Sequence, residues 1–145
     1  MNRLRRALVA ALALTLVRPL AALAAWNKEA FGAKSPGEAL KNLGIGGATP
    51  SNEVTIDAPQ IAENGAVVPV EISSAIAGTT ALIVVIEKNP FPLAARFDFK
   101  EGALPFVKVN VKMGETSDIR VLAEAGGKYY SASKEVKVTI GGCGG

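Results

Sequence analysis

The residue best suited to covalent chemistry is the only cysteine, which lies within the closing sequence Gly141-Gly142-Cys143-Gly144-Gly145. A cysteine thiolate is a nucleophile, and it can form bonds to sulfur. Glycine lacks a Cβ and adopts conformations closed to other residues, so this segment has no preferred shape. Such a tether is poorly suited to a core or a rigid active site. We therefore predict a flexible terminal arm that carries Cys143 into the active sites of other proteins.

The arm follows directly on a predicted strand, in which Val136, Val138 and Ile140 alternate with polar residues. Five extended residues, at about 3.3 to 3.6 Å each, reach about 17 Å. Glycines on both sides of Cys143 keep this segment narrow enough for a deep channel. A freely solvated cysteine has a pKa of about 8.5, so only a minority is thiolate at neutral pH. We expect the partner enzyme to supply the activation.

The residue types that the chain lacks restrict its chemistry. The sequence has no histidine and one cysteine. It therefore has neither a Ser-His-Asp nor a Cys-His arrangement, and it lacks the ligands of the usual zinc sites. Its acidic residues are scattered rather than spaced as in a calcium loop. These features predict that the chain is not an enzyme by itself and holds no metal, and the single cysteine excludes an internal disulfide.

The amino-terminal residues predict a cleaved export signal over residues 1–24. A basic start, an apolar run and a small-residue cleavage site occur in the expected order: Arg3, Arg5 and Arg6, then Ala7 to Val17, then Ala22-Leu23-Ala24. The pair Arg5-Arg6 resembles a twin-arginine signal, although the general secretory route also stays open. The apolar run is shorter than the about 20 residues that span a membrane, which argues against a stable membrane anchor.

The charge of the mature chain argues against nucleic acid as a partner. The whole chain has a formal net charge of +3. The export signal contains four arginines and no acidic residue, so its cleavage leaves a net charge of 3 − 4 = −1. Affinity for nucleic acid depends on neutralising phosphates with clustered basic residues. The basic excess therefore belongs to the signal and not to the mature protein.

Residues 25–50 predict a helical segment and linker. Ser35-Pro36-Gly37-Glu38 has the pattern of a capping box, with Ser35 as the cap, Pro36 in the first turn and Glu38 reaching back to the backbone N–H of the cap. Gly44 can end the helix in a left-handed conformation. The glycines that follow predict a flexible connection up to Pro50.

Residues 51–140 predict a series of short strands. The run from Ala81 to Ile86 is continuously apolar and indicates a central strand buried on both faces. Asn64-Gly65 and Gly126-Gly127 are turn signals. The other segments rich in strand-forming residues are Val54 to Ile56, Val67 to Ile72, Ala94 to Phe99, Phe106 to Lys112 and Asp118 to Ala125, followed by the start of a return strand at Tyr129 to Ser131 and a last strand from Val136 to Ile140. The pattern predicts an all-β, immunoglobulin-like antiparallel sandwich, while a barrel fits nearly as well.

Three segments together resemble one known family, the SoxY sulfur carriers of the bacterial thiosulfate-oxidising (Sox) system. They are the terminal Gly-Gly-Cys-Gly-Gly after Val136 to Ile140, the segment from Ala58 to Val70, and Asn89-Pro90-Phe91-Pro92. The terminal motif is highly specific, whereas Ala62-Glu63-Asn64-Gly65 is interpreted as a structural turn. The resemblance covers nearly the whole mature chain.

The resemblance implies a periplasmic carrier without a cofactor, in which sulfur intermediates are attached to Cys143. It implies a heterodimer with a SoxZ-like subunit. A Sox cytochrome complex then conjugates thiosulfate to the thiol, a hydrolase releases sulfate, and a sulfane dehydrogenase, where present, oxidises the remaining sulfur. Gly141, Gly142, Gly144 and Gly145 match the swinging arm of the family.

Other interpretations remain open at this stage. An exported, non-catalytic sandwich that only binds proteins explains the fold but not the terminus. A thiol-dependent enzyme lacks a base. A ubiquitin-like sulfur carrier also ends in glycines, but it uses its terminal carboxylate and is not exported. A disordered tail with an incidental cysteine is the simplest alternative.

Overall fold

The computed structural model describes residues 26–139, together with Asn2, and within this range the chain forms two short helices and nine strands. The predicted export signal, apart from Asn2, and the predicted arm over residues 141–145 lie outside the described residues. The elements are α1 (Lys28–Gly32), α2 (Pro36–Asn42), β1 (Thr49–Pro50), β2 (Val54–Asp57), β3 (Ile61–Ala62), β4 (Val68–Ser74), β5 (Thr79–Ile86), β6 (Leu93–Asp98), β7 (Phe106–Val111), β8 (Ser117–Ala125) and β9 (Lys128–Val138).

The strands form two facing sheets. The larger sheet has the order β1-β9-β8-β5-β6, and the smaller one has the order β2-β4-β7. Neighbouring strands are antiparallel, except that the short strands β1 and β3 run parallel to β9, at its beginning and near its end respectively. The predicted all-β sandwich is confirmed, and the two separate sheets distinguish it from a closed barrel.

The core lies between the sheets and continues beneath the helices. Strand β5 is buried on both faces, as its apolar run predicts. Leu82, Val84 and Ile86 face the layer between the sheets, where they pack with apolar residues of β4, β8 and β9. Ile83 and Val85 lie on the opposite face and pack with a second cluster, which contains alanines of α1 and α2. The helices thus protect the outer face of the larger sheet from water.

Helix α2 begins and ends largely as its sequence predicts. The Ser35 hydroxyl oxygen accepts a hydrogen bond from the Glu38 N–H at 3.2 Å, and Pro36 occupies the first turn. Gly44 has a φ of 77°, the left-handed conformation expected of a closing glycine. One detail of the prediction was wrong: the Glu38 carboxylate accepts from the N–H of Lys34 at 3.1 Å rather than from that of Ser35. It therefore pairs a donor that lies one residue before the cap.

The two predicted glycine turns serve different purposes. Gly126 and Gly127 both have positive φ angles, 57° and 73°, as a tight hairpin between β8 and β9 requires. Asn64 and Gly65 also form a turn, in which Val67 N–H donates to Asn64 O at 3.3 Å. Gly65, however, does not have a positive φ. Its lack of a side chain serves close packing instead.

The burial of β5 predicts a large difference between two leucine substitutions. Leu82 is 0% exposed and Leu104 is 79% exposed. We expect Leu82→Ala to lower the free energy of unfolding by about 2–5 kcal/mol, because it leaves a cavity in the core. The matched change Leu104→Ala should alter it by less than about 0.5 kcal/mol. Urea denaturation measures both, and equal losses in the two variants would contradict the described packing.

Candidate functional site

The site predicted from sequence lies beyond the end of the described chain. Cys143 and its neighbours Gly141, Gly142, Gly144 and Gly145 are all outside the described residues. The structure does describe the part of the body from which this segment starts. We call this region the arm base and define it as residues 62–65, 113–116 and 137–139.

The last described residues of the chain are bound to the body from two sides. Strand β3 pairs in parallel with the end of β9, with Ala62 opposite Val138. Three consecutive backbone N–H groups donate hydrogen bonds: Lys137 to Gln60 O at 3.0 Å, Val138 to Thr116 Oγ1 at 2.9 Å, and Thr139 to Ala62 O at 3.1 Å. Since these bonds alternate between the β3 side and the Thr116 side, the chain is fixed as far as Thr139.

Gly65 allows a close approach within the arm base. A Cβ at this position would overlap the carbonyl oxygen of Met113 and would lie 2.9 Å from Cγ1 of Val138. The Met113 N–H also donates to Gly65 O at 2.7 Å. Real Cβ atoms are not found this close to other heavy atoms, so any side chain at residue 65 would force its neighbours apart.

The loop that contains Met113 and Thr116 is held in turn by Asn89. The side-chain amide of Asn89 donates to Lys112 O at 2.7 Å, and its oxygen accepts from the Gly114 N–H at 3.2 Å. Asn89 begins the Asn-Pro-Phe-Pro loop between β5 and β6. Two segments that are far apart in sequence, this loop and the turn containing Gly65, therefore meet on the same 112–116 loop beneath the last residues of β9.

The surface next to the arm base is partly apolar. Ile61 in β3 is 55% exposed, and Val67, two residues after Gly65, is 54% exposed. The Lys88–Glu115 ion pair nearby has an N–O distance of 3.9 Å and is exposed, so it contributes little to stability. An open groove of about 570 Å³, lined by residues 74–80 and 99–105, lies at the opposite end of the sandwich.

A cluster of paired charges lies on the outer face of the larger sheet. Arg96 contacts Asp98 at 2.8 Å and Glu124 at 2.9 Å. Partial burial acts to lower the pKa of Arg96, but the hydrogen bonds to these two carboxylates outweigh it and raise that pKa. Burial, together with the charge of Glu124, raises the pKa of the Tyr129 phenol. The cluster thus favours a charged arginine and a neutral tyrosine, and neither is a nucleophile at neutral pH.

The described residues hold no arrangement typical of a metal centre or of a membrane helix. Between residues 26 and 139, no group of three or more His, Cys, Asp or Glu side chains is placed to hold a metal ion. In the same range, neither helix has the length and hydropathy to cross a membrane.

The fold and the site together define a two-sheet all-β protein whose last strand leads into a cysteine-bearing segment. The family described as "Sulfur oxidation protein SoxY" matches residues 42–143. This match includes more than half of the chain and extends to Cys143. The chain belongs to the SoxY family, which confirms the resemblance inferred from its terminal motif.

One solved structure agrees with this assignment, and a second shares the fold. The sulfur carrier protein SoxY from Chlorobium limicola f thiosulfatophilum is 39% identical to the chain, with a TM-score of 0.64, and the match covers 70% of this chain and 92% of that one. A superoxide reductase (neelaredoxin) from Ignicoccus hospitalis is 20% identical, with a TM-score of 0.54 and coverage of 61% and 81%, and it shows the fold alone. A comparison with curated protein sequences gives no significant match.

Sequence reasoning missed part of the arm base. It placed Gly65 in a turn but did not find its contacts with Met113 and Val138. It assigned no role to Thr116, because a threonine just before a strand gives no signal that its hydroxyl will bind a residue more than 20 positions away. The sequence did offer one signal. The segments around Gly65 and Asn89 both carry the family resemblance but contain no reactive residues, which indicates a structural role for them.

The hydrogen bond from Val138 to Thr116 makes a prediction that hydrogen exchange can test. Thr116→Val keeps the shape of the side chain but removes the acceptor. A hydrogen bond contributes about 0.5–1.5 kcal/mol, so the Val138 amide should lose roughly threefold to tenfold of its protection from exchange. Thr116→Ser keeps the hydroxyl and should preserve most of the protection. Unchanged exchange in Thr116→Val would show that this bond does not hold the end of β9.

Proposed function

We propose that this protein is a sulfur carrier that holds thiosulfate-derived sulfur covalently on Cys143 and presents it to other enzymes of sulfur oxidation. The observation that carries the proposal is the extent of the family match, which continues through the last strand and ends at the cysteine. The 39% identical relative with the same fold, itself a sulfur carrier protein, supports it further.

The loading step is an oxidation. The Cys143 sulfur and the outer sulfur of thiosulfate form a disulfide-type bond, the thiol proton is lost to solvent, and two electrons pass to an oxidant. In this proposal the oxidant is a c-type cytochrome complex. The product is a cysteine that carries a sulfane sulfur and a terminal sulfonate.

Release of sulfate is a hydrolysis. The oxygen of water bonds to the sulfonate sulfur, the bond between that sulfur and the sulfane sulfur breaks, and sulfate leaves. A persulfide remains on Cys143, where a sulfane dehydrogenase can oxidise it further. The loading step forms the bond between the Cys143 sulfur and the sulfane sulfur, and the hydrolysis changes the bound group while this bond is kept.

The chain's own contribution is to hold and place the cargo. The sequence contains no histidine to act as a base for the thiol. An enzyme with a narrow channel can supply the base, the charge and the exclusion of water, while glycines next to Cys143 let the sulfur enter. Such a division of labour suits a reactive cysteine that follows the last strand in sequence and has glycines on both sides.

The proposal also includes compartment and partners. The predicted export signal over residues 1–24 supports a periplasmic protein, and Arg5-Arg6 is compatible with export by the twin-arginine route. The partners are a SoxZ-like subunit in a heterodimer, the cytochrome complex, the sulfate-releasing hydrolase and, where present, the sulfane dehydrogenase. Exposed apolar residues such as Ile61 and Phe91 offer surface for such contacts.

Intact-mass spectrometry tests the carrier function. The mature chain, incubated with thiosulfate and the conjugating cytochrome complex, should gain the mass of one thiosulfate group. Cys143→Ala should gain none, because its side chain cannot form the bond, and Cys143→Ser is the near-isosteric control that should also stay unloaded. Circular dichroism should show the same fold in all three proteins.

Two results would contradict this proposal. One is an adduct that persists in Cys143→Ala, which would place the sulfur on another residue. The other is a truncation of residues 141–145 that leaves thiosulfate oxidation by the reconstituted enzymes at the full rate. That second outcome would favour a sandwich that serves only to bind proteins.

A further inference from the structure

We propose that Gly65 and Thr116 are positioning residues, which fix the point where the segment carrying Cys143 leaves the sandwich. The inference rests on the proposed carrier function, because position matters only if another enzyme must receive the sulfur. Neither residue contacts the cargo in this proposal. Both act through the last residues of β9.

The glycine at position 65 is required by space and not by backbone conformation. Its φ is not in the left-handed region, so an alanine could adopt the same backbone. The obstacle is that an added Cβ would overlap the Met113 carbonyl oxygen and would press on Val138 Cγ1 at 2.9 Å. A backbone carbonyl cannot rotate away as a flexible side chain can. Either the 112–116 loop or the end of β9 must therefore move.

The chain contains a matched control in the same loop. Gly114 also lies outside the positive-φ region, and a Cβ there would meet nothing within 4 Å. Gly65→Ala and Gly114→Ala thus make the same chemical change, with the same loss of backbone freedom, in the same part of the molecule. Only the change at residue 65 disturbs Val138.

A displacement of Val138 also displaces Thr139, the residue that follows it and the last described one before the predicted arm. Val138 N–H bonds to Thr116 on one side, and the neighbouring Lys137 and Thr139 bond to the β3 side. Met113 and Thr116 lie in the same 112–116 loop. A clash at Met113 and a weakened hydrogen bond at Thr116 therefore both disturb the contact of this loop with the end of β9. The position and direction of the chain at Thr139 depend on both contacts.

The chain between Thr139 and Cys143 is short, so the position of Thr139 limits where the Cys143 sulfur can reach. Cys143 is four positions after Thr139, so at about 3.3–3.6 Å per residue their Cα atoms lie at most about 14 Å apart. A partner channel that uses most of this length leaves little slack. Reacting atoms must approach to about 3–3.5 Å, and a misplacement of about 1 Å can cost as much as about a hundredfold in rate.

The test is a loading assay with the mature chain in complex with its SoxZ-like subunit, thiosulfate and the conjugating cytochrome complex. We expect Gly65→Ala to lower the kcat of loading by about tenfold, with a KM for the carrier that changes by less than about twofold. Gly114→Ala should match the wild type. Cys143 should react with a small aromatic disulfide reagent at the same rate in all three proteins. Such a reagent diffuses to the thiol, so the reaction does not depend on where the arm leaves the sandwich.

Lengthening the arm separates positioning from a general loss of stability. One glycine inserted between Gly141 and Gly142 adds slack that can compensate for a displaced start. In the Gly65→Ala background this insertion should restore a large part of the loading rate. A variant that is merely destabilised gains nothing from a longer tether.

Each outcome of these experiments decides the inference. Loading of Gly65→Ala at the wild-type rate, or a slow rate that the insertion fails to raise, would overturn it. If Gly65→Ala does not fold, Thr116→Val and its control Thr116→Ser decide by the same assay, and an undiminished rate in Thr116→Val overturns the inference. If the wild type itself is not loaded on Cys143, the carrier function has failed instead.

Discussion

The close packing of Gly65 against Met113 and Val138 is the constraint on which the placement of the end of β9 depends. The turn before β4, the loop before β8 and the end of β9 lie so close together that a Cβ at residue 65 would overlap the Met113 carbonyl oxygen and lie 2.9 Å from Val138 Cγ1. Hydrogen bonds from Val138 and Thr139 then hold the chain from both sides. The chain is consequently fixed as far as Thr139, the last residue that the structure describes.

The sandwich supports this contact through its core. Strands β5 and β8 lie in the middle of the larger sheet and bury apolar side chains on both faces, one against the smaller sheet and one against the two helices. Asn89 extends this rigid framework to the 112–116 loop. In the proposed function, the body contributes stability and placement, while the partner enzymes carry out the chemistry.

Much of the fold could be predicted because its signals are local. The continuous run of β5, the Ser35 cap and the Gly126-Gly127 hairpin each follow from neighbouring residues, and the structure confirms all three. The arm base could not be predicted in the same way. Strand β3 has two residues and no periodicity, and its parallel pairing with β9 joins residues more than 70 positions apart. The steric need for glycine at residue 65 appears only when Met113 and Val138 are placed beside it.

The candidate site could be proposed from sequence for a different reason. Cys143 is unique in the chain and its glycine neighbours are distinctive, so composition alone singles it out. The most direct test of the account is an intact-mass spectrum, with peptide-level localisation, of the protein purified from cells that are oxidising thiosulfate. The account predicts a chain that lacks residues 1–24 and carries additional sulfur on Cys143. A chain whose Cys143 is wholly unmodified under those conditions would contradict it.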